Sequence, residues 1–420
     1  MSAWATACAA ASPWTLALPG EHETVELTRE HGKSCVRLRQ SFRECYDGIA
    51  AKDVAVSRTG EHVAWAARRG NRWMVAVDGL PGDDWDAVGA PLLSDDGRHV
   101  AYAAGDGRRW RVVFDRRAGP AFDDIVEGTL TFSRDGEHIA YAGRRNGIAY
   151  VVADTTEGPP FAQVRSLRIT PRGEHVAYLA PGPTGVSAVL DGTVRGFHRE
   201  IGALALSARG DLAYTARDST SWHVISATGR LGPFATVRSL LYGRDGAGPL
   251  SFVARADERE MAFVGEARGW HDHVSGPVFS ESHWGFIAED SGAAGVYLDG
   301  HLVAHDAGAT GLALAPTSRR FAYVSHTDSS AHIVDDRGRG TFDVVVDRTL
   351  QFVDDEHWVA LAGTRSRRQL IVILDGKPTT RRVNWPDLVW MSAQPDAEDL
   401  LRAWVGALGR LELRAMRDSS

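Results

Sequence analysis

A short pattern that recurs along the whole chain constrains its fold more than any other feature of the sequence. The best-preserved copy runs from Leu130 to Val164 and contains four short apolar runs separated by polar turns. Related stretches begin at Val54, Leu93 and Leu167, which sets the repeat length at roughly 37 residues. The runs are rich in Val, Ala, Tyr, Phe and Leu, and the pattern predicts repeated antiparallel strands.

Alignment of the copies on Gly136, the turn glycine of the best-preserved copy, predicts about eleven four-stranded units. The aligned positions are Gly20, Gly60, Gly97, Gly136, Gly173, Gly210, Gly246, His283, Ser318, Glu356 and Ala397. The units near Gly246 and His283 depart furthest from the pattern. Residues Ala397–Leu408 also have the spacing of an amphipathic helix, but the alignment favours two strands there.

Turn and aromatic positions support the strand interpretation. Asp-Gly pairs close the third run in several copies, and this dipeptide favours tight hairpins because both residues tolerate positive φ. These pairs are Asp78-Gly79, Asp191-Gly192, Asp299-Gly300 and Asp375-Gly376. An aromatic residue in the second run is predicted to fill the core between units, at Trp65, Tyr102, Tyr141, Tyr178, Tyr214 and Tyr323.

Four-stranded units at this period predict an all-β fold, a β-propeller, because one short sheet cannot bury both faces and stacked sheets do. The segment SRDGEHIAY, Ser133–Tyr141, resembles the S-P-D-G-[KR]-[KR]-[IL]-A-[FY] signature of TolB-like, WD-repeat-like bacterial propeller repeats. This resemblance implies architecture only: most family members are binding scaffolds, and a few are lyases or gating domains of peptidases.

The number of units exceeds the four to eight blades of a typical ring. Two rings, residues 1–239 with units one to six and residues 240–420 with units seven to eleven, obey that limit. One large ring spanning 1–420 is the alternative.

Net charge and cysteine content indicate which classes of partner the chain binds and in which cellular compartment it is expected. The formal net charge of −7 gives no bulk attraction to nucleic acid or to anionic membranes. The cysteines, Cys8, Cys35 and Cys45, are an odd and sparse set, which predicts small core side chains in a reducing compartment rather than disulfides. The N-terminal stretch lacks the features of a secretory signal, so we expect a cytoplasmic protein.

Arginines gather at the predicted turn between the second and third strands of three consecutive units. They are Arg68, Arg69, Arg72, Arg108, Arg109, Arg111, Arg144 and Arg145, and Arg365, Arg367 and Arg368 occur near the end of the chain. Equivalent turns of neighbouring blades lie side by side, which predicts a basic rim that docks an acidic partner protein. The alternative is a solvated set of charged hairpin tips. Acidic residues around the fourth strand, Asp83, Asp84, Asp86, Asp123, Asp124 and Glu127, are expected to solubilise sheet edges.

Two groups of histidines are candidate ligands or bases. His62, His99, His138 and His175 recur at one repeat position, where a structural role is expected because neighbouring blades hold them too far apart for one ion. His271 and His273 alternate and are predicted to share a strand face, and together with His283 they are candidate metal ligands. No catalytic motif occurs in the required context. We therefore expect no cofactor and no metal.

The leading hypothesis is a non-enzymatic β-propeller that binds another protein as a scaffold, sensor or inhibitory subunit. The competing hypothesis is a propeller-fold lyase or hydrolase with a histidine-containing central site.

Overall fold

A computed structural model describes residues 14–17, 24–38, 42–57, 61–364 and 369–383, together with Val405, Gly406 and Gly409. The chain divides into two compact units, Met1–Leu212 and Ala213–Ser420. The predicted division near residue 240 and the single-ring alternative concern ring closure, and they stay predictions. None of the described residues forms a helix of the length and apolarity that a membrane span requires.

The described residues form ten antiparallel sheets in which successive strands pair, except that the first strand of four sheets is broken into two pieces that both pair with the next strand. Sheets 1 and 2 comprise β1 (Trp14–Ala17), β2 (Thr24–Glu30), β3 (Lys33–Leu38) and β4 (Phe42–Tyr46), then β5 (Gly48–Val56), β6 (Val63–Arg69), β7 (Arg72–Val77) and β8 (Leu80–Pro81). Sheet 3 comprises β9 (Ala87–Val88), β10 (Leu92–Leu93), β11 (Val100–Asp106), β12 (Arg109–Phe114) and β13 (Arg117–Ala118). Here β9 and β10 are two pieces of a broken first strand, since both pair with β11.

The same order continues in the next three sheets. Sheet 4 comprises β14 (Asp124–Ile125), β15 (Thr131–Phe132), β16 (Ile139–Arg145), β17 (Ile148–Ala153) and β18 (Thr156–Phe161). Sheet 5 comprises β19 (Arg165–Ile169), β20 (Val176–Pro181), β21 (Val186–Leu190) and β22 (Thr193–His198). Sheet 6 comprises β23 (Glu200–Leu206), β24 (Leu212–Arg217), β25 (Trp222–Ser226) and β26 (Gly229–Phe234).

Four more sheets follow. Sheet 7 comprises β27 (Thr236–Tyr242), β28 (Leu250–Ala256), β29 (Arg259–Val264) and β30 (Glu266–His271). Sheet 8 comprises β31 (His273–Val274), β32 (Val278–Phe279), β33 (Trp284–Asp290), β34 (Ala293–Leu298) and β35 (His301–His305). Sheets 9 and 10 comprise β36 (Ala309–Leu314), β37 (Phe321–His326), β38 (Ala331–Asp335) and β39 (Gly338–Phe342), then β40 (Val344–Val345), β41 (Gln351–Phe352), β42 (Trp358–Thr364), β43 (Gln369–Leu374) and β44 (Lys377–Val383).

The core consists of interfaces between consecutive sheets. Between sheets 4 and 5, Ala140 and Ala142 pack against Leu167, Tyr178 and Val189. The second-strand aromatic residues are all at least 96 % buried where the prediction placed them, at Trp65, Tyr102, Tyr141, Tyr178, Tyr214 and Tyr323. Burial of each such side chain contributes roughly 1.5–3 kcal/mol, so stacking supplies what an isolated four-stranded sheet lacks. The predicted inter-unit role is confirmed for the five residues that pack on the preceding sheet, Trp65, Tyr102, Tyr141, Tyr178 and Tyr323. Tyr214 is buried.

The Asp-Gly hairpins are confirmed as well. All four predicted pairs have positive φ at both residues, for example Asp78 at 49° and Gly79 at 86°. Aspartate tolerates this left-handed conformation better than most side chains, which explains why the dipeptide recurs at the turn between the third and fourth strands.

Two predictions near the chain ends are wrong. Cys35 and Cys45 lie opposite each other on β3 and β4 and form a disulfide bond, because the register of this hairpin brings their side chains together. The cysteine argument for a reducing compartment therefore fails, and the cytoplasmic location stays a prediction. Val405, Gly406 and Gly409 are helical rather than extended, and Val405 packs on Val359. The rest of 397–408 lies outside the described residues, as does most of the eleventh predicted unit.

The disulfide gives a direct test. Alkylation of the unfolded, unreduced protein followed by mass spectrometry is expected to modify one of the three cysteines, Cys8. Because the bond closes a loop of about ten residues, reduction is expected to cost roughly 2–3 kcal/mol of stability in the first sheet. Labelling of all three thiols before reduction would contradict the bond.

Candidate functional site

The turns between second and third strands of sheets 2, 3 and 4, called the rim below, carry the predicted partner-binding arginines. Arg68 and Arg69 end β6, and Arg72 begins β7. Arg108 and Arg109 lie at the equivalent turn of sheet 3. The remaining three residues are Arg111 on β12, and Arg144 and Arg145 at the end of β16. Arg365, Arg367 and Arg368 lie outside the described residues.

Carboxylates of this chain already bind most of the rim arginines. Arg145 forms a bidentate pair with Glu157, at 3.1 and 3.0 Å, and its guanidinium lies 4.9 Å from the centroid of the Phe122 ring. The Glu157 carboxylate raises the pKa of the Arg145 guanidinium. Arg144 Nη1 donates to Asp124 at 3.4 Å. Sequence reasoning missed these pairs because each partner lies on another strand.

Other rim arginines have partners on neighbouring sheets or on the backbone. Arg69 pairs with Glu44, and Arg68 donates to the carbonyl oxygens of Gly70 and Asp47 at 3.3 and 3.4 Å. Arg111 has a buried Nε with no hydrogen-bond partner among the described residues.

A recurring aspartate, called the seam aspartate below, explains why some of these pairs form. It directly precedes the first strand of a sheet. Its carboxylate accepts a hydrogen bond from a backbone N–H in the turn between the second and third strands of that sheet. The bonds are Asp47 to Gly70, Asp86 to Gly107, Asp123 to Asn146 and Asp272 to Ser291, each at 2.7 Å. The hydrogen bond from Gly70 is the main reason that the pKa of Asp47 is lowered.

The same carboxylates bind a cation from the preceding sheet. That cation is the first residue of its third strand. The pairs are Lys33 with Asp47, Arg72 with Asp86, Arg109 with Asp123 and Arg259 with Asp272. Asp86 and Asp123 therefore join sheets and do not solubilise an edge, which corrects the prediction for these two residues. The rim tips of sheets 2, 3 and 4 lie next to one another, as predicted, because these bridges connect them.

The repeated histidines bind aspartates at the opposite end of the sheets, in an arrangement called the latch below. In each latch the histidine Nδ1 contacts an aspartate of the hairpin between the third and fourth strands. The pairs are His62–Asp78, His99–Asp115, His138–Asp154, His175–Asp191, His283–Asp299 and His357–Asp375. The second aspartate oxygen accepts the backbone N–H that follows the histidine, as Asp154 does from Ile139 at 3.0 Å. The structural role predicted for the first four histidines follows directly.

The latch also connects sheets. A Cβ added to Gly173 would lie 2.3 Å from the His138 ring, so this ring packs on the turn backbone of the next sheet. In sheet 9 Arg320 replaces the histidine and binds Asp336 at 2.7 Å, which raises the pKa of Arg320. Hydrogen bonding to Asp115 and Asp154 raises the pKa of His99 and of His138 respectively.

The three metal candidates do not form a common site. His271 ends β30 and His273 begins β31, so they lie on strands of different sheets and the prediction of a shared strand face is wrong. Each has its own carboxylate, Asp290 at 2.7 Å and Glu260 at 3.0 Å, and His283 belongs to a latch. No group of three or more His, Cys, Asp or Glu suited to a metal ion occurs in the part of the chain that the structure describes.

Comparisons with known proteins add fold likenesses only. No protein-family model and no curated protein matches the chain. Similar solved structures include a eukaryotic initiation factor, at 11% identity and a TM-score of 0.43, over 85% of this chain and 96% of that one. TolB from Acinetobacter baumannii has 12% identity and a TM-score of 0.24, over 52% and 62%. The β-propeller domain of the Trilobed protease from Pyrococcus furiosus has 12% identity and a TM-score of 0.28, over 71% and 96%. None of these likenesses bears on function.

The latch predicts a large effect of its aspartate. Replacement Asp154→Ala is expected to cost about 1–3 kcal/mol, because the Ile139 N–H and the His138 ring lose their acceptor and alanine disfavours positive φ. Asp154→Asn keeps one acceptor oxygen and the turn preference, so its urea midpoint is expected to fall between those of Asp154→Ala and the wild type. Equal midpoints for the alanine variant and the wild type would contradict the latch.

The raised histidine pKa values predict a pH dependence. The folded-state pKa of His99 and of His138 lies above the ordinary 6.5, so their stabilisation is complete below that pH and is lost as pH rises through the folded-state values. The melting-temperature gap between the wild type and a His99→Gln/His138→Gln variant is expected to narrow from about pH 6 to 9. A gap that stays constant across this range would rule out the ionic contribution.

Proposed function

We propose that this chain is a TolB-like β-propeller of about eleven units that binds an acidic partner protein through the rim, as a scaffold, sensor or regulatory subunit. The proposal assigns no catalytic role to the described residues. It rests on the exposure of the rim guanidinium groups and on the hydrogen-bond donors that they leave unused.

The paired rim arginines remain accessible to a partner. Their side chains stay 34–53 % exposed in the pairs of Arg69, Arg72, Arg109, Arg144 and Arg145. A guanidinium carries five N–H donors, and these pairs use only some of them. The carboxylates hold the arginines in place, so a partner that binds the free donors orders fewer side chains.

Arg108 differs from its neighbours. It is exposed at the rim tip of sheet 3 and makes no ion pair or hydrogen bond with the described residues. An unpaired guanidinium beside preorganised ones favours recognition of a carboxylate surface. This single observation carries the proposal, since charge reversal at Arg108 breaks no bond within the protein.

The enzyme hypothesis has narrower support. His271 is 91 % buried, Asp290 orients its Nδ1, and its Nε2 has no hydrogen-bond partner among the described residues. However, the His271 ring lies 5.8 Å from the Tyr297 ring and packs close to Gly269, as expected for a core histidine. We therefore favour partner binding.

The rim predicts a position-specific loss of binding. Proteins captured from native lysate by the wild type and quantified by mass spectrometry are expected to decrease at least about tenfold with Arg108→Glu, because a central charge pair becomes a repulsion. The matched control is Arg172→Glu, an exposed arginine at the opposite end of sheet 5 that has no partner among the described residues. Equal capture by the Arg108→Glu variant and the wild type would contradict a role for the rim.

A further inference from the structure

The fourth strand of sheet 5, β22, is an edge strand with two exposed apolar side chains. Val194 is 49 % exposed and Phe197 is 56 % exposed. Register pairs Phe197 with Ser187, Gly196 with Ala188 and Val194 with Val189, which leaves Arg195 as an extra residue in a β-bulge.

The bulge places both apolar side chains on one face. Ser187 and Val189 are two residues apart on β21 and share a face, so their partners Phe197 and Val194 share the corresponding face of β22. The two side chains therefore lie side by side, roughly 7 Å apart along the strand. Without the bulge they would point to opposite faces.

Phe197 does not occupy the repeat position that packs between sheets. In sheet 4 the fourth strand packs Phe161 on Tyr178 of the next sheet, and register pairs Phe161 with Ala149. The equivalent pair in sheet 5 is His198 with Val186. His198 thus occupies the packing position, and Phe197 is an additional aromatic side chain on the other face.

The Phe197 ring is held in place. A Cβ added to Gly185 would lie 2.7 Å from Phe197 Cζ, so the ring covers this backbone and keeps its other side in solvent. A fixed aromatic ring offers apolar area at a small cost in entropy.

Two arginines frame these side chains. Arg195 and Arg199 are exposed, and neither makes an ion pair or a hydrogen bond with the described residues. We call Val194, Arg195, Phe197 and Arg199 the β22 patch. Two exposed arginines on a chain of net charge −7 favour a negatively charged partner.

The bulge also decides how a partner contacts the strand. A bulged edge interrupts the row of backbone groups that an added strand needs, so pairing of an extra strand is disfavoured. Contacts must therefore be made by side chains.

We propose that the β22 patch binds an extended acidic segment of a partner protein. One apolar side chain of that segment packs between Val194 and Phe197, and its flanking carboxylates bind Arg195 and Arg199. The patch is small, which corresponds to a weak and transient interaction. This site is independent of the rim.

A displayed library of random peptides, selected on the wild-type protein and counter-selected on Phe197→Ser, tests the proposal. The expected consensus is an aromatic or aliphatic residue flanked by Asp or Glu. A fluorescein-labelled peptide of that consensus is expected to bind at least about tenfold more weakly to Phe197→Ser and to Arg195→Glu/Arg199→Glu, as measured by polarisation. Melting temperatures establish that the variants fold.

Matched controls distinguish binding at the β22 patch from nonspecific binding to exposed apolar side chains and from binding at the rim. Leu80→Ser removes an apolar side chain that is 71 % exposed on the edge strand of sheet 2, and Arg108→Glu reverses a rim charge. Both variants are expected to bind the peptide as the wild type does. The proposal is overturned if the selected consensus is basic or purely polar, or if no selected sequence depends on Phe197 for binding. It is also overturned if Leu80→Ser weakens peptide binding as much as Phe197→Ser does. Light scattering that shows a wild-type dimer dissociated by Phe197→Ser would instead assign the patch to a second copy of this chain.

Discussion

The rest of the structure depends on the hydrogen bonds and ion pairs of two sets of aspartates, which connect strands and turns that are distant in sequence. At one end of a sheet the latch aspartate binds a histidine side chain and the following backbone N–H. At the other end the seam aspartate binds a hairpin-tip N–H of its own sheet and a cation of the preceding sheet. A short four-stranded sheet has little core of its own, so these joints and the aromatic residues between sheets hold the array together.

This use of charge changes how the ionisable residues are interpreted. Arginine clusters and repeated histidines are the features that a search for chemistry selects first, yet most of them here bind a carboxylate of this chain. Such exposed pairs add little stability individually. The seam pairs among them connect consecutive sheets. The candidates for binding are therefore the residues that the joints do not use, Arg108 on the rim and the arginines of the β22 patch.

Particular residues show how far the sequence predicts the structure. Tyr141 and Tyr178 were placed in the core between sheets because the period assigns them to the second strand, and both are buried there. The latch pairs are also predictable from the sequence, because the histidine and the aspartate are sixteen residues apart in most copies. The Cys35–Cys45 bond was missed because an odd cysteine count says nothing about which two residues face each other. His271 and His273 were misplaced because a sheet boundary falls between them.

The sequence by itself determined the repeat, the strand content, the Asp-Gly hairpins and the aromatic core positions, because these depend on local propensity and on spacing within one unit. Only the tertiary structure decided which carboxylate neutralises which arginine, since Arg72 and Asp86, or Arg145 and Glu157, meet through strand pairing and sheet stacking. The same holds for β22, where one extra residue in the register turns Val194 and Phe197 to the same face. A bulge is a property of two paired strands, and composition or period alone does not reveal it.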